Sequence, residues 1–289
     1  MRDSPRLVLE LPPLPAVEVL LALIAVLLAR MVWLLASLLA ILRKASEETH
    51  TDLKATLRSG LSPKLPKEAR VTERRLLTSA KMFEQCMLGD ADVDVQKFMD
   101  ACRWYGEQIL TRMGPFTMIT VREIHANMDK VKHTFQLDPE KHRSMRALLE
   151  AECSSNMHQP GGILADPSAA MGMLWARRGL MFWVCLFHKH MDNGEKRLAA
   201  GGQPQLSLHT TVLNAYEEAL APFNGWVSRN TFMLATRTFP EWRDIEATWA
   251  SNHEDAIDDM SAWVRILEPL LSRMFAIIKA LDLDDLRKC

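Results

Sequence analysis

The chain has 289 residues, long enough for one large domain with an appendage or for two small domains. Its 35 basic and 36 acidic side chains leave a net charge of −1, which disfavours nucleic acid as a partner. Only 12 Gly and 2 Tyr occur, and apolar residues recur at helical spacing. This composition favours a mainly α-helical protein, and no segment is predicted to form a β-strand.

An apolar run lies near the N-terminus. Residues 19–42 contain 10 Leu, 2 Ile, 3 Val and 5 Ala. As a helix the run extends about 36 Å, enough to cross a hydrocarbon core of about 30 Å. Arg30 near its middle opposes insertion, but the summed apolar contribution outweighs this cost. We predict a tail over residues 1–18 and a transmembrane anchor over 19–42, with a cleaved signal segment as the alternative.

The flanking charges predict the orientation of this anchor. Arg43 and Lys44 open a side that is more basic than the N-terminal tail, so the positive-inside rule places the C-terminal side in the cytosol. A cleaved segment would instead indicate the secretory pathway. Residues 43–74 are polar and interrupted by proline, which predicts a flexible linker ahead of a domain over residues 75–289.

About eight helices are predicted beyond residue 74. Their patterns cover residues 76–88, 94–113, a stretch ending near 135, a stretch starting at Asp138, 167–191, 206–238 with a bend at Pro222, a short segment from Pro240, and 255–281. Segment 167–191 is apolar on nearly every side, which predicts a central position. The fold class is therefore all-α, with helices packed on helices.

No centre for bond-making chemistry is found in the sequence. The chain lacks a Gly-x-Ser-x-Gly elbow, a phosphate loop and the Glu-x-x-His pairs of a di-iron bundle. His125, Asp129 and His133 share a helix face and form a weak zinc candidate, for which a solvated face is the favoured interpretation. We predict no catalytic residue, no metal and no cofactor.

Three separated segments carry polar and aromatic residues in a shared order. They are residues 123–130 (EIHANMDK), residues 173–180 (MLWARRGL), and residues 214–216 (NAY) with 223–227 (FNGWV). In this order and spacing they resemble the glycolipid transfer protein family, including its branch that moves ceramide-1-phosphate. The resemblance covers about residues 75–285.

The resemblance implies a two-layer sandwich of helices that encloses a hydrophobic cavity for ceramide chains. A polar head-group pocket would lie at its mouth. It assigns head-group binding to Glu123, Asn127, Lys130, Trp175 and Asn224. Trp175 takes the position of a flat platform under the first sugar ring, for which an indole face has the right size.

The helical spacing is consistent with this assignment. Glu123, Asn127 and Lys130 stand at i, i+4 and i+7, within an arc of about 60°, so they form one polar stripe. A solvated helix face is the alternative interpretation. The chain departs from the family at two positions, since Glu123 replaces an Asp and Asn224 replaces a His. These departures leave a degenerate site open.

Head-group preference is predicted from the same positions. The phosphate-binding branch carries basic residues where this chain has Asn127 and Trp175, which favours a glycolipid. Arg177 and Arg178 are candidate additional head-group contacts, because a guanidinium binds phosphate in a bidentate manner.

These observations predict binding and transfer, or sensing, of single sphingolipids, with glycosylceramide preferred and ceramide-1-phosphate as the alternative. A membrane-anchored interaction module is the alternative of another class. The predicted partners are a sphingolipid and a membrane, and no protein partner is predicted. Most of the eight Trp are expected in the core, and any that are exposed are expected to help membrane docking, with Trp104, Trp183, Trp242 and Trp249 as candidates.

Overall fold

The computed structural model describes residues 74–114, 117–199, 208–236 and 241–288. These residues belong to one compact unit, Glu68–Cys289. The predicted anchor at residues 19–42 lies outside the described residues. Within the described ranges, no helix combines the length and the apolar character needed to cross a bilayer.

The described chain is built mainly from helices, which confirms the helical fold class. In chain order they are α1 (Arg75–Glu84), α2 (Val95–Tyr105, continued by a π-helical turn Gly106–Leu110 and by Thr111–Met113), α3 (Met118–Phe135), α4 (Met145–Ser154), α5 (Ala169–Ala199), α6 (Leu208–Ala219), α7 (Trp226–Ala235), α8 (Trp242–Glu246) and α9 (His253–Ala280).

The expectation that no strand forms is wrong. Strands β1 (Met87–Leu88) and β2 (Asp92–Val93) pair as an antiparallel ribbon between α1 and α2. Gly89 adopts a φ of +56° at the turn, a conformation that glycine allows at little cost. The helical pattern of the sequence runs on to Leu88, but the turn ends the helix at Glu84.

The start of α4 also differs from its prediction. Asp138 begins only a single turn, in which its Oδ1 accepts a hydrogen bond from Lys141 N at 3.2 Å. Residue Ser144 then adopts an extended conformation, pairs with Asp94 in a β-bridge, and caps the helix that begins at Met145. The extended backbone at Ser144 is incompatible with a continuous helix from Asp138.

Helix α5 lies at the centre of the fold, as its apolar sequence predicts, and continues to Ala199, beyond the predicted end at residue 191. It contacts α3, α6 and α9. Helix α9 in turn contacts α1. Aromatic rings join the layers: the Phe187 and Trp263 centroids lie 5.2 Å apart, and Tyr105 stacks on Trp263 at 5.3 Å. Such pairs add to the free energy gained from burial.

A buried carboxylate fixes the first turn of α5. Glu152 of α4, only 2% exposed, accepts hydrogen bonds from Ala169 N at 2.7 Å and Ala170 N at 2.9 Å. Thr134 Oγ1 of α3 donates to the same carboxylate at 2.8 Å. The negative charge also stabilises the positive end of the helix dipole. Three helices are therefore held in register close to the N-terminal end of α5.

Candidate functional site

Helices α3 and α5 approach each other closely at one glycine. A Cβ atom added at Gly172 would lie 2.6 Å from Asn127 O and 2.9 Å from Val131 Cγ2. Farther along α3, Lys130 Nζ forms an ion pair of 2.6 Å with Asp166 Oδ1, which precedes α5. Gly172 thus lies opposite Asn127, whereas the earlier residue Asp166 lies opposite the later residue Lys130. This reversed order means that the two helices run antiparallel.

This antiparallel register brings the polar stripe of α3 and the predicted aromatic platform of α5 to the same level along the helix pair. Glu123 lies one turn before Asn127 in α3, and Trp175 lies about one turn after Gly172 in α5. These displacements point in the same direction, so Glu123 and Trp175 are level with each other. Asn127 and Trp175 are partly buried, and Glu123 is exposed.

Glu123 is exposed at its surface, yet protein atoms crowd its side chain. The resulting loss of hydration raises the pKa of this carboxyl above its ordinary value. Its carboxylate therefore binds a proton at a higher pH than a fully hydrated glutamate does. A binding site that needs the ionised carboxylate of Glu123 therefore loses that form at a higher pH than it would with a fully hydrated glutamate.

The third segment reaches the same region through an aromatic contact. The Arg178 guanidinium lies 3.6 Å above the Phe223 ring and 5.2 Å from the Trp175 ring. The neighbouring Asn224 donates through Nδ2 to Tyr216 Oη at 3.1 Å. The structure therefore brings the segment that carries Asn224 to the part of α5 that carries Trp175. Asn127 lies against Gly172 of α5, and Lys130 pairs with Asp166 just before α5.

The two candidate arginines are directed at protein groups. Arg178, only 2% exposed, donates to Asp285 O at 2.6 Å and to Asp284 Oδ1 at 3.3 Å. Arg177 Nε donates to Leu271 O at 3.0 Å in α9. Both guanidinium groups therefore contact the last helix or the segment that follows it.

Two residues of the candidate zinc face on α3 lie close to side chains of α2. Asp129 Oδ1 accepts from Arg103 Nη2 at 2.8 Å, and His125 Nε2 lies 3.6 Å from Glu107 Oε1. Among the described residues, no group of three or more His, Cys, Asp or Glu side chains is arranged to hold a metal ion.

The docking tryptophans were predicted at the wrong positions. Trp183 and Trp249 are 2% and 0% exposed, because both belong to the aromatic core, while Trp104 and Trp242 are partly buried. The exposed indole is that of Trp226, at 78%, in the first residue of α7 and two positions after Asn224. Helical periodicity does not separate these cases, since all five tryptophans lie in apolar patterns.

Sequence reasoning also missed four residues that shape the site: Gly172, Asp166, Phe223 and Asp284. Gly172 carried a detectable signal, because a glycine inside an apolar helix indicates a close backbone approach or a cost in helix stability. The others act through contacts with residues distant in sequence. Arg178 and Asp284, for example, are 106 positions apart.

The chain matches a known protein family over the part that carries the candidate site. The family model described as Glycolipid transfer protein matches residues 93–249, more than half of the chain. The chain belongs to the glycolipid transfer protein family. The match contains all five predicted head-group residues, and members of this family are lipid transfer proteins rather than enzymes.

Related sequences support the family membership. Glycolipid transfer protein 3 of Arabidopsis thaliana is 20% identical over 183 residues, which are 62% of this chain and 72% of that protein. The glycolipid transfer protein of Danio rerio is 30% identical over 123 residues, which are 43% of this chain and 54% of that protein. The second match therefore spans about half of the relative's length.

Solved structures show the same fold. A structure that describes how FAPP2 selects simple glycosphingolipids matches with a TM-score of 0.63, 20% identity, and coverage of 74% of this chain and 99% of the other. Human ceramide-1-phosphate transfer protein bound to 12:0 ceramide-1-phosphate also gives 0.63, with 16% identity and coverage of 73% and 98%. The helical fold implied by the resemblance is thereby confirmed.

We expect Gly172→Ala to destabilise the fold by about 1–3 kcal/mol, because the added methyl group forces α3 and α5 apart. Chemical denaturation of residues 68–289 measures the change. The matched control is Gly179→Ala, about two helical turns further along α5, where an added Cβ meets no atom within 4 Å. That variant should gain up to about 1 kcal/mol from helix propensity. Equal effects of the two substitutions would contradict the close approach at Gly172.

Proposed function

We propose that this domain binds one sphingolipid at a time and transfers or senses it, with Glu123, Asn127, Lys130, Trp175 and Asn224 holding the head group. One observation supports the proposal above the others: at Gly172, α3 and α5 are in close antiparallel contact, within about one helical turn of Glu123, Asn127 and the partly exposed Trp175. A bundle that served only as an interaction module has no need to keep Trp175 accessible.

The side chains in this arrangement suit a sugar. The carboxylate of Glu123 accepts from adjacent hydroxyls, the amide of Asn127 both donates and accepts, and the ammonium of Lys130 donates to oxygen. The indole of Trp175 offers an apolar face to a sugar ring. Asn224 uses its amino group on Tyr216, so its carbonyl oxygen is the atom offered to a ceramide N–H.

The interior between the layers suits apolar chains. Buried methionines occur on several of the helices that meet there: Met99, Met128, Met173, Met260 and Met274. Methionine is unbranched and polarizable, so it adapts to different shapes at low cost. We infer that these side chains give way to ceramide chains that enter from the head-group end.

Local charge favours an uncharged head group. Lys130 is paired with Asp166 at 2.6 Å, and Arg178 is paired with Asp284 at 3.3 Å. A phosphate monoester carries a charge of about −1.5 to −2 and needs cations that are not already neutralised. The fold does not decide this question, since neighbours named for glycosphingolipids and for ceramide-1-phosphate give the same TM-score of 0.63. We therefore propose a glycolipid preference.

We also propose that residues 19–42 anchor the domain to a membrane with residues 75–289 on the cytosolic side, so that exchange is limited to short distances. The support is the apolar length of that run and the basic residues after it. We expect the full chain to remain in the membrane pellet after alkaline carbonate extraction. Recovery in the supernatant would refute the anchor.

We expect Trp175→Ala to reduce the withdrawal of fluorescent glucosylceramide from vesicles by at least about tenfold, because the sugar loses its stacking surface. The measurement uses residues 68–289 and phosphatidylcholine donor vesicles. Wild-type protein that withdraws neither glucosylceramide nor ceramide-1-phosphate at micromolar concentration would refute the proposed function.

Trp226→Ala provides the contrast, because its indole is exposed and lies outside the proposed stacking position. We expect this variant to slow transfer between vesicles, since an indole partitions well into a bilayer interface. The amount of glucosylceramide bound at equilibrium should stay unchanged. Loss of equilibrium binding in Trp226→Ala but not in Trp175→Ala would invert the proposed roles.

Binding should depend on pH through Glu123. Its ionised form accepts hydroxyl hydrogens, and its pKa is raised by desolvation, so binding present at neutral pH is lost as the pH falls through that raised pKa. Glucosylceramide binding titrated from pH 7 to pH 4 tests this. Glu123→Gln should bind more weakly at pH 7 and lose the decline, whereas the exposed control Glu140→Gln should keep it. An unchanged decline in Glu123→Gln would exclude this group.

A further inference from the structure

The chain after α9 forms an ordered strap beside the candidate site. Residues 282–287 form this C-terminal strap. Leu283 and Asp285 are only 3% and 5% exposed. Asp285 Oδ2 accepts from Leu164 N at 3.1 Å, and Arg287 Nη2 donates to Leu164 O at 3.0 Å. The strap is thereby fastened to the loop that leads into α5.

The backbone of the strap packs against this loop at Gly162. A Cβ atom added at Gly162 would lie 3.4 Å from the carbonyl oxygens of Asp282 and Asp284. The backbone of Gly162 also has a φ of +73°, which favours glycine. The backbone of Asp284 therefore lies against the loop, whatever its side chain contacts.

The buried Asp285 and the half-buried Asp284 make different contacts. Asp285 forms several hydrogen bonds with Arg287, including one of 2.9 Å from Nε to Oδ1. These contacts lower the pKa of Asp285 to about 2. Asp285 is therefore neutralised within the strap itself, and it fastens the strap to the loop.

Asp284 faces the arginines of α5 instead. Its Oδ1 lies 3.3 Å from Arg178 Nη2, and that guanidinium lies 3.6 Å from the Phe223 ring centre and 5.2 Å from the Trp175 ring centre. Its charge also acts on Arg177, where it opposes the fall in pKa caused by burial. One carboxylate thus offsets two cations, of which Arg178 lies close to Trp175.

We propose that Asp284 is a specificity-determining residue, which holds the charge beside Trp175 near neutral and so makes the site reject phosphate head groups. This inference rests on the proposed function. Arginine is the side chain best suited to bidentate phosphate binding, and a carboxylate on the same guanidinium both competes with and repels the phosphate. Removing the carboxylate leaves Arg178 in place, because its bond to Asp285 uses a backbone oxygen.

The test uses the full-length chain purified in a mild detergent. It is incubated with equal concentrations of 12:0 glucosylceramide and 12:0 ceramide-1-phosphate, freed of unbound lipid, and its retained lipids are quantified by mass spectrometry. We expect wild type to retain mainly glucosylceramide. Asp284→Asn should shift the retained ratio towards ceramide-1-phosphate by about tenfold.

Asp282→Asn is the matched control, because it removes the same charge from an exposed strap residue whose positive φ of 55° asparagine tolerates. It should keep the wild-type ratio, as should Asp284→Glu, which keeps the charge. Asp284→Ser, a second way to remove the charge, should shift the ratio as Asp284→Asn does.

An equal ratio in wild type, Asp284→Asn and Asp284→Ser overturns the specificity role, and so does an equal shift in Asp282→Asn. Failure of every variant and of wild type to retain either lipid overturns the proposed function instead. The two failures are therefore distinguishable in a single experiment.

Discussion

At Gly172 the backbones of α3 and α5 come so close that even a methyl group has no room between them. The rest of the candidate site depends on this approach. It sets the register of the two helices, and with it the level at which Glu123 and Asn127 of α3 and Trp175 of α5 lie along the pair. A wider separation would leave three polar side chains on a solvated helix face and an isolated tryptophan.

Other contacts hold that arrangement from outside. The buried Glu152 carboxylate ties the first turn of α5 to α3, and the C-terminal strap closes over the loop before it. In both contacts a buried carboxylate accepts a hydrogen bond from a backbone N–H group. Burial strengthens such a bond, and the Glu152 carboxylate also interacts with the helix dipole. The polar groups of the site are therefore positioned by surroundings that do not touch the proposed ligand.

The proposed head-group preference rests on charge pairing, since structures with this fold are named for both glycosphingolipids and ceramide-1-phosphate. The described site contains cations, but Lys130 and Arg178 each lie against a carboxylate. A neutral sugar is compatible with paired cations, because it needs donors and acceptors rather than net charge. On this view the difference between head groups is decided by acidic partners such as Asp284 as much as by the cations themselves.

Helical periodicity was sufficient to predict the central helix, the last helix from about residue 255, and the face shared by Glu123 and Asn127. These features repeat within a few residues, so they are visible in local sequence. The short ribbon at Met87–Leu88 was missed because two-residue strands carry no period. The exposed Trp226 was missed because burial depends on which other helix covers a side chain.

By itself, the amino-acid sequence determined the helical class, the order of the helices and the polar and aromatic residues of the candidate site. Only the tertiary structure decided which of these residues meet, and that Arg178 is buried against Asp284 rather than exposed. The physical reason is that local patterns encode which face of a helix is apolar, whereas ion pairs form between residues as distant in sequence as Arg74 and Asp259, which are 185 positions apart.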